Sequence, residues 1–141
     1  MFVSYRIYTD GACRGNPGPS GIGAVILNDK GKVVHEIAKY IGEVTNNVAE
    51  YEALLEALDY CVKKKLQPVE ILADSQLMIR QLSGQYKVKH PNMIPLHQKA
   101  KEYLSHLKVT GFTHVLREFN KRADELANEG IDKHFAGGQR P

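Results

Sequence analysis

Between Tyr5 and Ile41 the chain offers three apolar runs in succession before any helical periodicity begins, and that order constrains its fold more than any other feature. Val3, Tyr5, Ile7 and Thr9 alternate with Ser4, Arg6, Tyr8 and Asp10, the period of two that sends neighbouring side chains to opposite faces of a strand. Gly21 to Leu27 and Val33 to Ile41 continue the pattern on either side of Asn28-Asp29-Lys30-Gly31, a tight-turn sequence, which predicts a three-stranded antiparallel meander. Gly21 and Gly23 weaken a strand unless another backbone must come close, so they mark a crowded place near the end of the first run. That run delivers Asp10 to its last position. Gly11 and the segment Gly15-Asn16-Pro17-Gly18-Pro19 then break it into a turn, which leaves the carboxylate held by a strand but facing open space.

Helical periodicity follows. Thr45-Asn46-Asn47 supplies capping side chains for a helix from about Val48 to Lys65, with Ala49, Leu54, Leu55, Leu58, Cys61 and Val62 as its apolar stripe. Glu52, Glu56, Asp59 and Lys63 form a solvated row, but Glu50 lies in line with Leu54 and Leu58 on the buried side of the first turn. Two explanations fit it: an acid favoured by the helix dipole, or one that points into a polar site shared with the sheet. Asn46 and Asn47 are likewise either caps or substrate contacts.

Gln67-Pro68 ends the helical region, and Val69 to Ala73 forms a short strand that again presents an aspartate, Asp74, at its end. Asp74 reads as a helix cap when taken alone; if this strand pairs beside the first, it converges with Asp10. An amphipathic segment through Leu77, Ile79 and Leu82 follows, then a polar connector, residues 84 to 95, where Lys87 and Lys89 flank Val88 beside Tyr86. Such lysines line either a solvated loop or a phosphate track. A helix from about Leu96 to Leu107, a strand from Phe112 to Glu118 and a final helix with Ala123, Leu126, Ala127, Gly130 and Ile131 inward complete the expected elements. Asp124 sits in the first turns of that helix, beside the buried stripe.

Composition sets the outer bounds. A chain of 141 residues, 43% apolar and 25% charged, suits one domain with its own core. Cys13 and Cys61 are too few for a disulfide framework or a zinc site. No apolar leader or membrane-length run stands out, so the expectation is a soluble, cytoplasmic protein with no membrane partner. The formal charge of +3 is uneven, at −2 over residues 1 to 74 and +5 over residues 75 to 141, and a polyanion would meet the second half more readily.

Asp10, Glu50, Asp74 and Asp124 each sit at a strand end or an opening helical turn. Four carboxylates gathered at one place repel one another and raise their own pKa values, a costly arrangement unless cations neutralise it. Hard divalent ions do so through oxygen ligands, and a pair of them suits phosphoryl transfer.

The segments Tyr8-Thr9-Asp10-Gly11-Ala12-Cys13 with Gly15-Asn16-Pro17-Gly18-Pro19, Thr45-Asn46-Asn47 with Glu50, Asp74-Ser75-Gln76, and Asn120 with Ala123-Asp124-Glu125-Leu126-Ala127 together resemble a type 1 ribonuclease H over roughly residues 3 to 132. The resemblance implies an α/β ribonuclease H-like fold: a five-stranded mixed sheet, three antiparallel strands plus two parallel additions, flanked by helices. It implies a catalytic domain over residues 1–134, with a flexible tail over 135–141. It implies that Asp10, Glu50, Asp74 and Asp124 are catalytic and bind two Mg²⁺ ions, or Mn²⁺, to hydrolyse the RNA strand of an RNA/DNA hybrid, leaving 5′-phosphate and 3′-hydroxyl ends. Asn16, Asn46 and Gln76 match residues that touch the hybrid's minor groove, where 2′-hydroxyls distinguish RNA from DNA. Cys13 matches a position on the substrate surface, Thr45 part of a pocket for a DNA-strand phosphate, and Arg14, Lys87, Lys89 and Arg117 are candidate phosphate or auxiliary contacts.

Two departures from the family pattern stand out. Arg117 to Arg122 is too short for the histidine-bearing loop of many members and holds no histidine, which leaves a metal-bound water or Arg117 as substitutes, His134 in the tail as a weaker one, and His114 as a strand residue. Residues 84 to 95 are too compact for a basic protrusion, which points to the short subgroup and to weaker, salt-sensitive hybrid binding. Members of that subgroup can also cleave duplex RNA, so a related nuclease acting on duplex RNA or on DNA is one alternative and a non-catalytic RNA- or hybrid-binding domain another. Four intact acids speak against a pure binder of a polyanion. A nucleotide phosphotransferase would need a second domain. Nothing suggests an obligate partner, and a monomer is expected.

Overall fold

A computed structural model describes residues 4–136, so Val3 and the tail beyond Ala136 lie outside the described residues. Five strands form one mixed sheet in the order β3-β2-β1-β4-β5: β1 (Tyr5–Cys13), β2 (Gly18–Leu27), β3 (Val33–Val44), β4 (Val69–Ala73) and β5 (Val109–His114). β1, β2 and β3 pair antiparallel, whereas β4 joins β1 and β5 joins β4 in parallel, so the expected three-plus-two sheet is present. The turn between β2 and β3 is held by Asn28, whose Oδ1 accepts from the backbone N–H groups of Lys30 and Lys32.

Helix α1 (Asn46–Lys64) covers one face of the sheet and buries Leu54, Leu58 and Cys61 in one core with Ile7, Ile26 and Ile71. α2 (Gln76–Leu82) follows β4, and α3 (Ile94–Ser105) packs on α1 rather than on the sheet. α4 (Lys121–Ala136) lies on the opposite face across β2 and β3, with Ala123, Leu126, Ala127, Gly130 and Ile131 buried as expected. The paired glycines of β2 make that seat. A Cβ on Gly23 would lie 2.0 Å from the carbonyl oxygen of Ala123, and one on Gly21 would lie 2.1 Å from that of Ala127. The crowding read from these glycines is therefore contact with a helix backbone.

Several boundaries differ from expectation, each for a local reason. β1 runs on to Cys13 because β2 keeps pairing with it, Asp10 opposite Gly23 and Cys13 opposite Ser20. β3 likewise continues to Val44 through a bulge at Ser20/Gly21. Thr45 alone caps α1, accepting from Val48 N–H, so Asn46 and Asn47 are helical residues rather than caps. Ser75, not Asp74, caps α2 by accepting from Met78 N–H. In α2 the buried side is Met78, Ile79 and Leu82, and Leu77 is exposed. α3 starts at Ile94 because Pro95 is tolerated in a first turn. β5 ends at His114, where its pairing with Ala73 ends, and Arg117–Phe119 is a 3₁₀ turn (η1) instead of strand. α4 continues through Ala136.

Candidate active site

The site begins where β4 stops. Parallel pairing of β1 with β4 ends at Thr9 opposite Ala73, so Asp10 and Asp74 are the next residue on each strand and emerge side by side. Gly11 N–H, with no β4 residue left to pair with, donates to Glu50 Oε1 at 2.6 Å. Gly11 also permits the approach: a Cβ there would sit 2.5 Å from the backbone carbon of Ala49. The first turn of α1 thus lies directly on β1, and Glu50 completes a triad with Asp10 and Asp74 in which one carboxylate oxygen from each lies within 4.8 Å of the others.

Asp10 does not face open space. It is 6% exposed and Glu50 8%, while Asp74 is half-buried. Burial is the largest cause of the rise in the Asp10 pKa to about 10, followed by the charge and hydrogen bonding of Glu50, the charge of Asp74 and a hydrogen bond with Asp124. Burial also raises Glu50, to about 7, opposed by its bonds with Asp10 and Gly11 N–H and by the positive charge of Arg117, and reinforced by the charge of Asp74. The second oxygen of Glu50, Oε2, is buried without a hydrogen-bond partner. Asp124 stands in the first turn of α4 on the Asp10 side, outside the triad, with Oδ1 accepting from Asn128 Nδ2 at 3.3 Å.

This donor set fits a hard divalent cation. It consists of carboxylate oxygens alone, one of them orphaned in the interior, at a place where protonation or a cation must offset their repulsion. Thiolate and imidazole ligands, which would favour zinc, are absent from the cluster.

Beside the acids lies an open cleft of about 400 Å³ lined by Asn16, Thr45, Asn46, Asn47, His90, Asn92 and Met93. Asn16, in the turn after β1, accepts from Asn46 N–H at 3.0 Å and so ties that turn to the start of α1. Gln76 is exposed at the start of α2. Cys13 directs Sγ at the carbonyls of Gly15 and Val44, inside the turn. Arg14 is already engaged, 2.8 Å from Asp132 and 3.2 Å from Asn128 Oδ1. Lys87 and Lys89 are exposed on the connector, and Arg117 is exposed on η1. His134 stacks on Tyr40, with ring centroids 3.9 Å apart, and lies ten residues along α4 from Asp124, about 15 Å of helix.

Two sets of residues were not singled out from sequence as site residues. His90 and Asn92 line the cleft, and only their position in a polar connector hinted at it. Asn120 is 2% exposed, donates to the Thr9 carbonyl at 2.9 Å and accepts from Asp124 N–H, so one side chain and its carbonyl join the Asp10 strand to the Asp124 helix.

The sheet order and the acids at the end of β4 define a ribonuclease H-like α/β domain. The chain matches the family model described as reverse transcriptase-like over residues 8–130. It is 42% identical over 127 residues to the bifunctional protein Rv2228c of Mycobacterium tuberculosis, covering 89% of this chain and 35% of that protein. It is 42% identical over 125 residues to ribonuclease HI of Halobacterium salinarum, covering 89% of this chain and 63% of that protein. The chain thus spans about a third of the mycobacterial relative and just under two thirds of the halobacterial one. The crystal structure of LC11-RNase H1 in complex with an RNA/DNA hybrid aligns with a TM-score of 0.87 at 48% identity, covering 93% of this chain and 99% of that one. The chain belongs to the type 1 ribonuclease H family.

Proposed function

We propose that the protein is a metal-dependent endonuclease that hydrolyses the RNA strand of RNA/DNA hybrids, leaving 5′-phosphate and 3′-hydroxyl ends. The observation that carries this reading is the triad of Asp10, Glu50 and half-buried Asp74 opening beside a cleft lined largely by amides. A surface that only bound a polyanion would be weakened by such acids. The relative with the highest identity of the three named above was solved with an RNA/DNA hybrid, which agrees with the substrate class.

Asp10, Glu50, Asp74 and Asp124 would hold two Mg²⁺ ions, with Mn²⁺ able to replace them. Bound there, such ions neutralise the carboxylates and the charge that gathers on a phosphodiester during displacement. The chain's own groups do the rest. Gly11 N–H fixes one oxygen of Glu50 and leaves the other free to ligate. Arg117 favours the ionised form of Glu50. The amides of Asn16, Asn46 and Gln76 both donate and accept, which suits them to 2′-hydroxyls across a minor groove. Thr45 holds the rim of the cleft through its cap, and Lys87 and Lys89 approach phosphates from the connector.

The test compares cleavage of labelled RNA/DNA hybrid, duplex RNA, single-stranded RNA and duplex DNA in Mg²⁺, Mn²⁺ and chelator, with the wild type and Asp10→Asn. Hybrid cleavage is expected in either metal and lost in both chelator and variant. Cleavage that survives either condition overturns the metal assignment, and duplex RNA cut as fast as hybrid overturns the substrate assignment.

A further inference from the structure

Directly behind the acids, three helices are joined by one polar chain, buried at Tyr51 and Gln81 and half-buried at His97, that the reaction as described does not use. Tyr51 follows Glu50 in α1, is 1% exposed, and donates its hydroxyl proton to Gln81 Oε1 at 2.6 Å. Gln81 lies in the last turn of α2 and is 8% exposed. His97 of α3 places Nε2 3.3 Å from the Gln81 carbonyl, which can only accept, so that nitrogen carries the proton. The His97 ring also meets the Tyr51 ring edge-on, with centroids 6.3 Å apart.

We propose that Tyr51, Gln81 and His97 are positioning residues that set the separation of Glu50 and Asp74 and thereby the affinity of the site for divalent cations. The proposal rests on the metal reading above. α2 has only seven residues and is too short to hold its place by helix propensity. Its first residue follows Asp74 and its cap Ser75, so wherever α2 sits, Asp74 goes with it. Besides burying Met78, Ile79 and Leu82, α2 is joined to α1 through the Tyr51–Gln81 bond, one residue from Glu50. The gap enclosed by Asn47, Glu50, Tyr51, Ser75, Met78 and Gln81 measures only about 10 Å³, so a displacement at Gln81 has little space in which to be absorbed before reaching Ser75 and Glu50. Met93 lines both this gap and the amide cleft, and α3 begins one residue later, so the same chain of contacts ties the substrate connector to the acids.

The test is Tyr51→Phe, which deletes one oxygen. Its control is Tyr103→Phe, because Tyr103 also joins α3 to α1 by a hydroxyl, donating to Asp59 Oδ1 at 3.1 Å on a surface that holds none of the four acids. Mn²⁺ binding is read by titration calorimetry and by the rise in melting temperature on adding Mn²⁺, without substrate. Hybrid cleavage is then followed against Mg²⁺ concentration. Tyr51→Phe is expected to weaken Mn²⁺ binding about tenfold and raise the Mg²⁺ requirement in parallel, while Tyr103→Phe leaves both near wild type. Tyr51→Phe combined with Gln81→Met removes both partners of the bond, so neither is left unpaired, and it should regain melting temperature but not Mn²⁺ affinity; it also keeps the test open if the single variant folds poorly. Wild-type Mn²⁺ affinity in Tyr51→Phe, or an equal loss in Tyr103→Phe, overturns the proposal. Failure of the wild type itself to bind Mn²⁺ overturns the metal reading instead.

Discussion

Asp10 shows how a sequence position acquires its chemistry. As a carboxylate before glycine it resembles a turn former, yet in the sheet it is 6% exposed and faces Glu50 and Asp74. Its raised pKa has a direct consequence for stability. Asp10 and Glu50 hold protons more tightly in the folded chain than at their unfolded values of about 3.9 and 4.3. The folded state therefore binds more protons above that range, and metal-free stability falls as pH rises from about 4 toward about 7 for Glu50 and about 10 for Asp10. In chelator at pH 8, Asp10→Asn should melt higher than wild type, by about 2–4 °C for each kcal/mol relieved of the cost of burying and protonating Asp10 beside the other acids, and the difference should shrink toward pH 4. Added Mn²⁺ should reverse the order, because it stabilises only the form that binds it. An unchanged or lower melting point for the variant at pH 8 would show that the acids carry no such strain.

Among the elements, the pairing of β2 with α4 decides where the fourth acid stands. Gly23 is opposite Asp10 in the sheet and touches the first turn of α4, so the glycine that admits the helix also sets Asp124 beside Asp10. Gly23→Ala should cost about 2–3 kcal/mol or more, since the added carbon would lie 2.0 Å from a backbone oxygen that has no side chain to swing away. Gly31→Ala meets no atom within 4 Å and is strained only through its φ of +77°, so its cost should be about 1 kcal/mol. Urea unfolding of the two variants measures both, and equal midpoints would refute the account of the seat. Most elements were legible from periodicity, including all of β4 and the five-residue stripe of α4. β5 is Val109–His114 rather than the 112–118 of the apolar pattern, because the strand forms where β4 is there to pair with it and apolar residues do not continue it once that neighbour has ended.

For the whole molecule, the uneven charge becomes an orientation. Lys87 and Lys89 are exposed on the connector near the cleft, whereas Arg14 is neutralised by Asp132. If the connector meets the phosphates, changing either lysine to alanine should reduce the log–log salt slope of hybrid affinity by up to about 0.9 per contact, with Arg14→Ala changing it less. Equal slopes for all three variants would remove the connector from the binding surface. The antiparallel meander, the short strand that ends at Asp74 and the four candidate acids could be read locally, because period, turn chemistry and neighbouring residue types are properties of short stretches, whereas the two parallel strands were implied only by the family resemblance. That Asp10 is buried against Glu50, that Arg14 is engaged by Asp132, and that Tyr51 meets Gln81 could not be read that way. Each depends on which strand stops first and which backbones touch, and those contacts join residues tens of positions apart that no local pattern relates.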